Sequence, residues 1–150
     1  MEGAIFDCPA LWLERLPSGV LGAETPAGVA GRTWDLLALT RRGCKALRRG
    51  PVFDRTETAC RILLVPGDGP PMFPAETVIT YGLSPRDSLT LSSLTEPVLC
   101  VQRSLPRPDG TVIEPQEFPL PLLPGPPEEL LPLLGLRLLL MPLTEPPILW

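Results

Sequence analysis

The sequence predicts an α/β fold: a short parallel sheet with few helices, a truncated Rossmann-like arrangement, followed by a small antiparallel β-meander. Three observations carry this expectation. A strand–helix–strand pattern occupies residues 34–65, the unit from which parallel sheets are built. A second apolar strand pattern, "TVITY", follows a proline-rich connector. From Ser88 onward apolar and polar residues alternate, as in strands with one wet face. The 150 residues suit a single domain.

Taken in order, residues 1–33 read as an irregular start holding one short helix. In "PALWLERL" Pro9 stands at a helix-opening position, and Leu11, Trp12 and Leu16 recur at helical spacing. "PSGVLGAETPAGVAG" is rich in Gly and Pro and reads as loop. "WDLLALT", residues 34–40, fits either a buried strand or a helix. "RRGCKALRRG" reads as a short helix stopped by Gly50 and Pro51.

"CRILLVPGDG" is the clearest strand, ending at Pro66, and "TVITYGL" is expected beside it in the same direction. These complete a parallel part over residues 34–81. "DSLTLSSL", "PVLCVQR" and "GTVIEPQEF" form the antiparallel part, residues 82–120, with Asp109-Gly110 as a hairpin turn. In residues 121–150, "PEELLPLLG" reads as a helix ended by Gly135, "LRLLLM" as a last strand, and the rest as a Pro-rich tail.

Composition removes several kinds of chemistry. The chain has no histidine and no asparagine, and its only lysine is Lys45. Ser-His-Asp and Cys-His catalysis and His-ligated metals are therefore outside its reach. Lys45 lies in "GCKAL", so the Gly-Lys-Ser/Thr phosphate loop is missing as well. Cys8, Cys44, Cys60 and Cys100 are widely spaced, contain no CxxC pair and read as buried thiols rather than a metal or redox site.

A net charge of −4 without a basic run argues against nucleic acid. The apolar stretch Leu130–Leu143 holds Arg137 and two prolines and is too short for a membrane span. The first residues carry Glu2 and Asp7 rather than a basic start, so the cytoplasm is the expected compartment. Twenty-two prolines require short elements fitted between them.

From residue 60 onward the order of segments resembles the later part of the Mur ligase central domain. "LLVPGDGP" stands where that family has an Asn-Ala-Asp-Asp-Pro turn, keeping Asp68 and Pro70. "VITYGLSPRDSLTLSSL" matches its Thr-Tyr-Gly-Leu-Ser strand end and the Asp-led strand after it. "LLPGPPEELLPLLG" matches a Leu-Pro-Gly turn opening a helix. The resemblance covers residues 60–141 and implies a shared scaffold. The family's phosphate loop, its asparagines near the nucleotide and its metal-binding histidine have no counterpart, so the resemblance implies the scaffold without the ligase chemistry.

Candidate site residues lie at the expected carboxyl ends of the parallel strands, where α/β sheets bind ligands. Asp68 sits between Gly67 and Gly69, which would admit a ligand to the backbone, although Pro-Gly-Asp-Gly is also an ideal tight turn. Tyr81, Gly82 and Ser84 end the neighbouring strand, so Asp68 and Ser84 are expected to face one crevice. Asp87 is expected to pair with Arg86 or to cap the next turn. The hydroxyls of Ser88, Ser92 and Ser93 read as a solvated strand face.

Arg41, Lys45, Arg48 and Arg49 share a helical face suited to an anion or an acidic partner, against the plainer reading of a solvated face. Glu114 and Glu117 offer a carboxylate pair to which no role attaches. The resulting expectation is a non-catalytic α/β domain that binds a small polar ligand or a protein partner, with no cofactor and no metal. Its alternatives are an enzyme using Asp68 and Asp87 and linked to cell-wall precursors, or a structural subunit of a complex.

Overall fold

The computed structural model describes residues 1–49, 58–69, 72–144 and 149–150. The sequence expectations placed on Gly50, Pro51 and Pro70, and on the Arg49 side chain, lie outside the described residues. The chain is α/β, built on an eight-stranded sheet with a separate two-stranded hairpin. The strands are β1 (Gly3–Phe6), β2 (Val20–Ala23), β3 (Thr33–Leu39), β4 (Ala59–Pro66), β5 (Ala75–Tyr81), β6 (Leu89–Leu91), β7 (Val98–Val101), β8 (Leu105–Pro106), β9 (Val112–Ile113) and β10 (Gln116–Pro119). The helices are α1 (Arg41–Arg49) and α2 (Pro127–Leu140).

In the large sheet the order is β10-β7-β6-β5-β4-β3-β1-β2. Strands β2 to β6 across that order run parallel, whereas β6, β7 and β10 pair antiparallel. Leu64 lies beside Ile79 in parallel register. Alternate residues of the parallel strands feed two cores. Ile5, Leu36, Ile62, Leu64, Ile79 and Leu89 pack with α2 on one face. Phe6, Leu37, Leu39, Leu63 and Val65 pack with Cys44 and Leu47 of α1 on the other. Both faces are covered, so the strands are apolar on both sides.

The N-terminal segment departs from its reading as irregular: it supplies β1 and β2. All four residues of β1 are buried between β2 and β3. A strand of that length shows no period in sequence and is defined by its neighbours. The expected helix at "PALWLERL" is a 3-10 helix, Ala10–Arg15, with Trp12 buried. "WDLLALT" is strand, within β3.

The antiparallel part also differs in detail. The half-exposed strand expected over "DSLTLSSL" is only three residues long. Ser88 is buried rather than solvated. Its backbone N–H donates to the Thr80 hydroxyl at 3.1 Å and its own hydroxyl accepts from the Thr80 N–H at 3.4 Å. These side chains stitch β5 to β6, which share one bridge, Tyr81 with Leu89. The Asp109-Gly110 turn closes the small β8–β9 hairpin, and β10 returns to pair with β7.

The C-terminal reading requires the largest correction. Gly135 does not end α2, and "LRLLLM" is not a strand: the helix continues to Leu140. A Cβ at Gly135 would lie 3.0 Å from Leu89 Cδ1 and 3.1 Å from Leu64 Cδ2, so glycine lets the helix approach the sheet. The end of α2 is held by buried Arg107, beside the β8–β9 hairpin. Its guanidinium donates to the carbonyls of Leu139, at 2.9 Å, and Met141. Among the described residues no helix is long and apolar enough to cross a membrane.

Candidate functional site

β1 lies between β2 and β3, so successive strands leave it in opposite directions across the sheet. The carboxyl ends of β1 and β3 consequently border a crevice, the position at which open α/β sheets bind ligands. The local chain is adapted to that junction. Asp7, directly after β1, has φ 61°, a left-handed conformation that aspartate tolerates better than most residues. Thr40, directly after β3, points its hydroxyl at the carbonyls of Phe6 (3.2 Å) and Asp7 (2.9 Å).

The same hydroxyl accepts a 2.9 Å hydrogen bond from the Gly43 N–H and so caps α1. A Cβ on Gly43 would lie 2.7 Å from the Phe6 carbonyl oxygen. Glycine there brings the first turn of α1 against the end of β1. Arg41 and Arg42 are thereby delivered to the rim. Arg42 grips the Asp7 carboxylate through two bonds, 3.1 Å from Nε and 2.8 Å from Nη2. Arg41 Nη1 donates to Asp68 at 2.6 Å. Burial acts to raise the Asp68 pKa, but the Arg41 hydrogen bond and charge outweigh it and hold the carboxyl below its ordinary value.

A cleft of about 820 Å³ opens at this edge. Asp7, Thr40, Arg41, Arg42 and Tyr81 line one side. The first turns of α2, with Glu128, Glu129 and Leu130, line the other. Leu11, Trp12 and Trp150 are among its apolar lining residues. Trp150 is docked: the Arg15 guanidinium sits 4.7 Å from its ring centroid. Buried Arg137 supports that wall, donating to the carbonyls of Leu149 (3.0 Å) and Arg15 (2.8 Å).

Of the residues singled out in the sequence, Tyr81 and Arg41 line this cleft. The Tyr81 hydroxyl donates to the Leu39 carbonyl at 2.7 Å, tying β5 to β3 across β4. Burial pushes its pKa upward, so the phenol is a fixed donor rather than a proton carrier. Gly67, Gly82 and Ser84 instead gather around Asp87, which is only 5% exposed. A Cβ on Gly67 would lie 1.7 Å from Asp87 Oδ1, and one on Gly82 2.5 Å from Oδ2. The Ser84 N–H donates to Oδ2 at 3.1 Å.

Asp87 therefore closes the turn that precedes it, from Ser84, rather than pairing with Arg86 or capping the next turn as expected. Asp68 and Ser84 do not line the cleft together: Asp68 faces Arg41, and Ser84 serves the Asp87 turn. Gly69 leaves room for Arg48, whose Nη2 would be 1.9 Å from a Cβ at that position. The expected ligand turn and the expected basic patch are thus one structure, with α1 laid against the "PGDG" turn. Lys45 lies exposed on α1.

Asp7, Trp12, Arg15, Thr40 and the start of α2 are not among the sequence's candidate site residues, and Arg42 belongs there only to the basic run of α1. The available signal was "GAIFD", an apolar run ending in an acid, as at the end of a buried strand. Among the described residues no three His, Cys, Asp or Glu side chains gather into a metal-binding cluster. No protein-family model, no curated protein and no solved structure matches the chain.

Proposed function

We propose that this protein is a non-catalytic ligand-binding α/β domain that holds a small molecule in the cleft at the carboxyl edge of its parallel sheet. The cleft's position carries the reading: it lies where the strand order reverses, with fixed polar groups from β1, β3 and β5 and aromatic surface from Trp12 and Trp150. Binding rather than turnover is favoured by how the reactive-looking groups are employed. Tyr81 is committed to Leu39, and Asp87 is enclosed by Gly67 and Gly82. Arg41 and Arg42 are positioned by carboxylates, and an always-charged guanidinium does not exchange protons at ordinary pH.

The order of β4, β5, the turn after Tyr81 and α2 supports a further part of the proposal. The domain would be a relative of the Mur ligase central domain that has dispensed with nucleotide handling. The sequence supports this as well, since its only lysine, Lys45, is outside any phosphate-loop motif. Titration of the purified protein with nucleotides and cell-wall precursors, followed by thermal shift, tests the binding claim. Saturable stabilisation by a precursor rather than by a nucleotide, lost in a Trp12→Ala variant, is the expected result. Steady ATP hydrolysis by the pure protein would overturn the non-catalytic claim.

A further inference from the structure

Resting on the cleft as the binding site, we infer that its ligand is a monoanion: a single carboxylate on an aromatic or aliphatic body. The apolar part follows from Leu11, Trp12, Leu130 and Trp150 on the cleft surface. The charge follows from the two helices that meet there. On α2 the first-turn acids Glu128 and Glu129 agree with the positive end of the helix dipole, so the fold itself explains them. On α1 the first turn holds Arg41 and Arg42 and no acid, against its own dipole. Such local conflicts concentrate at functional sites.

Both arginines already show how they bind a carboxylate. Arg42 holds Asp7 with the side-on fork, and Arg41 holds Asp68 by one short bond. The Asp68 side chain is 70% exposed, and a solvated pair of this kind adds little stability. Exchange of Asp68 for a ligand carboxylate therefore sacrifices little and gains a partner shielded by the apolar cleft. The lining carries no surplus positive charge, so a ligand carboxylate binds by taking the place of Asp68 on Arg41. Among the described lining residues Arg15, Arg41 and Arg42 are matched by Asp7, Glu128 and Glu129, so a polyphosphate would meet unrelieved repulsion.

A head-group series tests this with one body held constant: 1-naphthylacetate, its neutral amide 1-naphthylacetamide, and 1-naphthyl phosphate, each titrated calorimetrically into the full chain. The expected result is acetate binding at least about fivefold tighter than amide, with the preference declining in salt. Arg41→Gln should reduce the acetate to the affinity of the amide, and Trp150→Ala should weaken all three together. Equal affinity for acetate and amide would overturn the charge assignment while leaving the cleft as a binding site. Tighter binding of the phosphate would overturn the monoanion assignment alone. Failure of all three to bind would overturn this inference, while the thermal-shift titration with cell-wall precursors decides the proposed function separately. The wild-type series decides each point even if a variant does not fold.

Discussion

The Asp87 carboxylate fills the space where Gly67 would carry a side chain, with Oδ1 1.7 Å from the position of a Cβ. Gly82 makes the same accommodation just past the end of β5, and together they seat a buried acid at the junction between the parallel and antiparallel parts. Gly67→Ala should destabilise the protein by about 1–3 kcal/mol, the usual cost of forcing extra volume into a packed site. Asp87→Ala should also destabilise. The double variant should lose less than the sum, because removing the carboxylate makes room for the methyl. Urea denaturation of the four proteins measures the coupling, and strict additivity would contradict the close seating.

Arg137 joins parts of the chain far apart in sequence, donating to the carbonyls of Leu149 and Arg15. Burial, with Arg15 adding repulsion, lowers its pKa, yet the group stays charged at any ordinary pH. Arg137→Met keeps much of the apolar volume and removes both bonds. Stability should decrease by about 1.5–3 kcal/mol, the range for hydrogen bonds to a charged group. Release of Trp150 from Arg15 should also shift tryptophan emission to longer wavelength. The shift should vanish in a Trp150→Phe background; its persistence there would assign it to another tryptophan.

Cys60 is buried, and burial raises its thiol to about 12. Burial likewise raises Cys44. At pH 8 only about one Cys60 in ten thousand is thiolate, so its reaction with a disulfide reagent should be slow. Cys8 and Cys100 are partly exposed. Labelling of the native protein should reach these two first, with Cys60 at least about a hundredfold behind until denaturant is added. Mass mapping of the modified peptides tests the order, and early labelling at Cys60 would contradict its burial.

Three carboxyls with lowered pKa should govern acid stability: Asp35, Asp68 and Asp109, the last held down chiefly by the Thr111 hydroxyl. The Glu2 backbone N–H, 2.7 Å from Asp35, is the main cause of that group's lowered pKa; burial opposes it and Arg61 assists. Asp68 is lowered by Arg41 despite burial. All three start from an ordinary value of 3.8. A depressed folded-state pKa gives stability that is complete above the unfolded value and is lost as pH falls through the folded one. The melting temperature should therefore be unaffected by these groups from pH 5 to 7 and decline below about pH 4. Asp35→Asn should flatten part of that acid limb; an unchanged slope would remove Asp35 from the account.

The sequence alone determined the α/β class, helix α1 and the parallel neighbours Leu64 and Ile79, because each rests on a run long enough to declare its period or its punctuation. Tertiary structure decided the elements whose residues are explained only by what they touch. The four residues of β1 form a strand because β2 and β3 pair with both of its edges. Gly135 stays inside α2 because Leu64 and Leu89 leave no space for a side chain, although a glycine read along the chain resembles a helix end. The cleft belongs to the same category. Asp7, Thr40 and Tyr81 are distant in sequence and converge because each follows or ends a parallel strand at one edge of the sheet. A chain's periodicity records which face each residue presents, but not the order of strands, and that order places Asp7 beside Thr40.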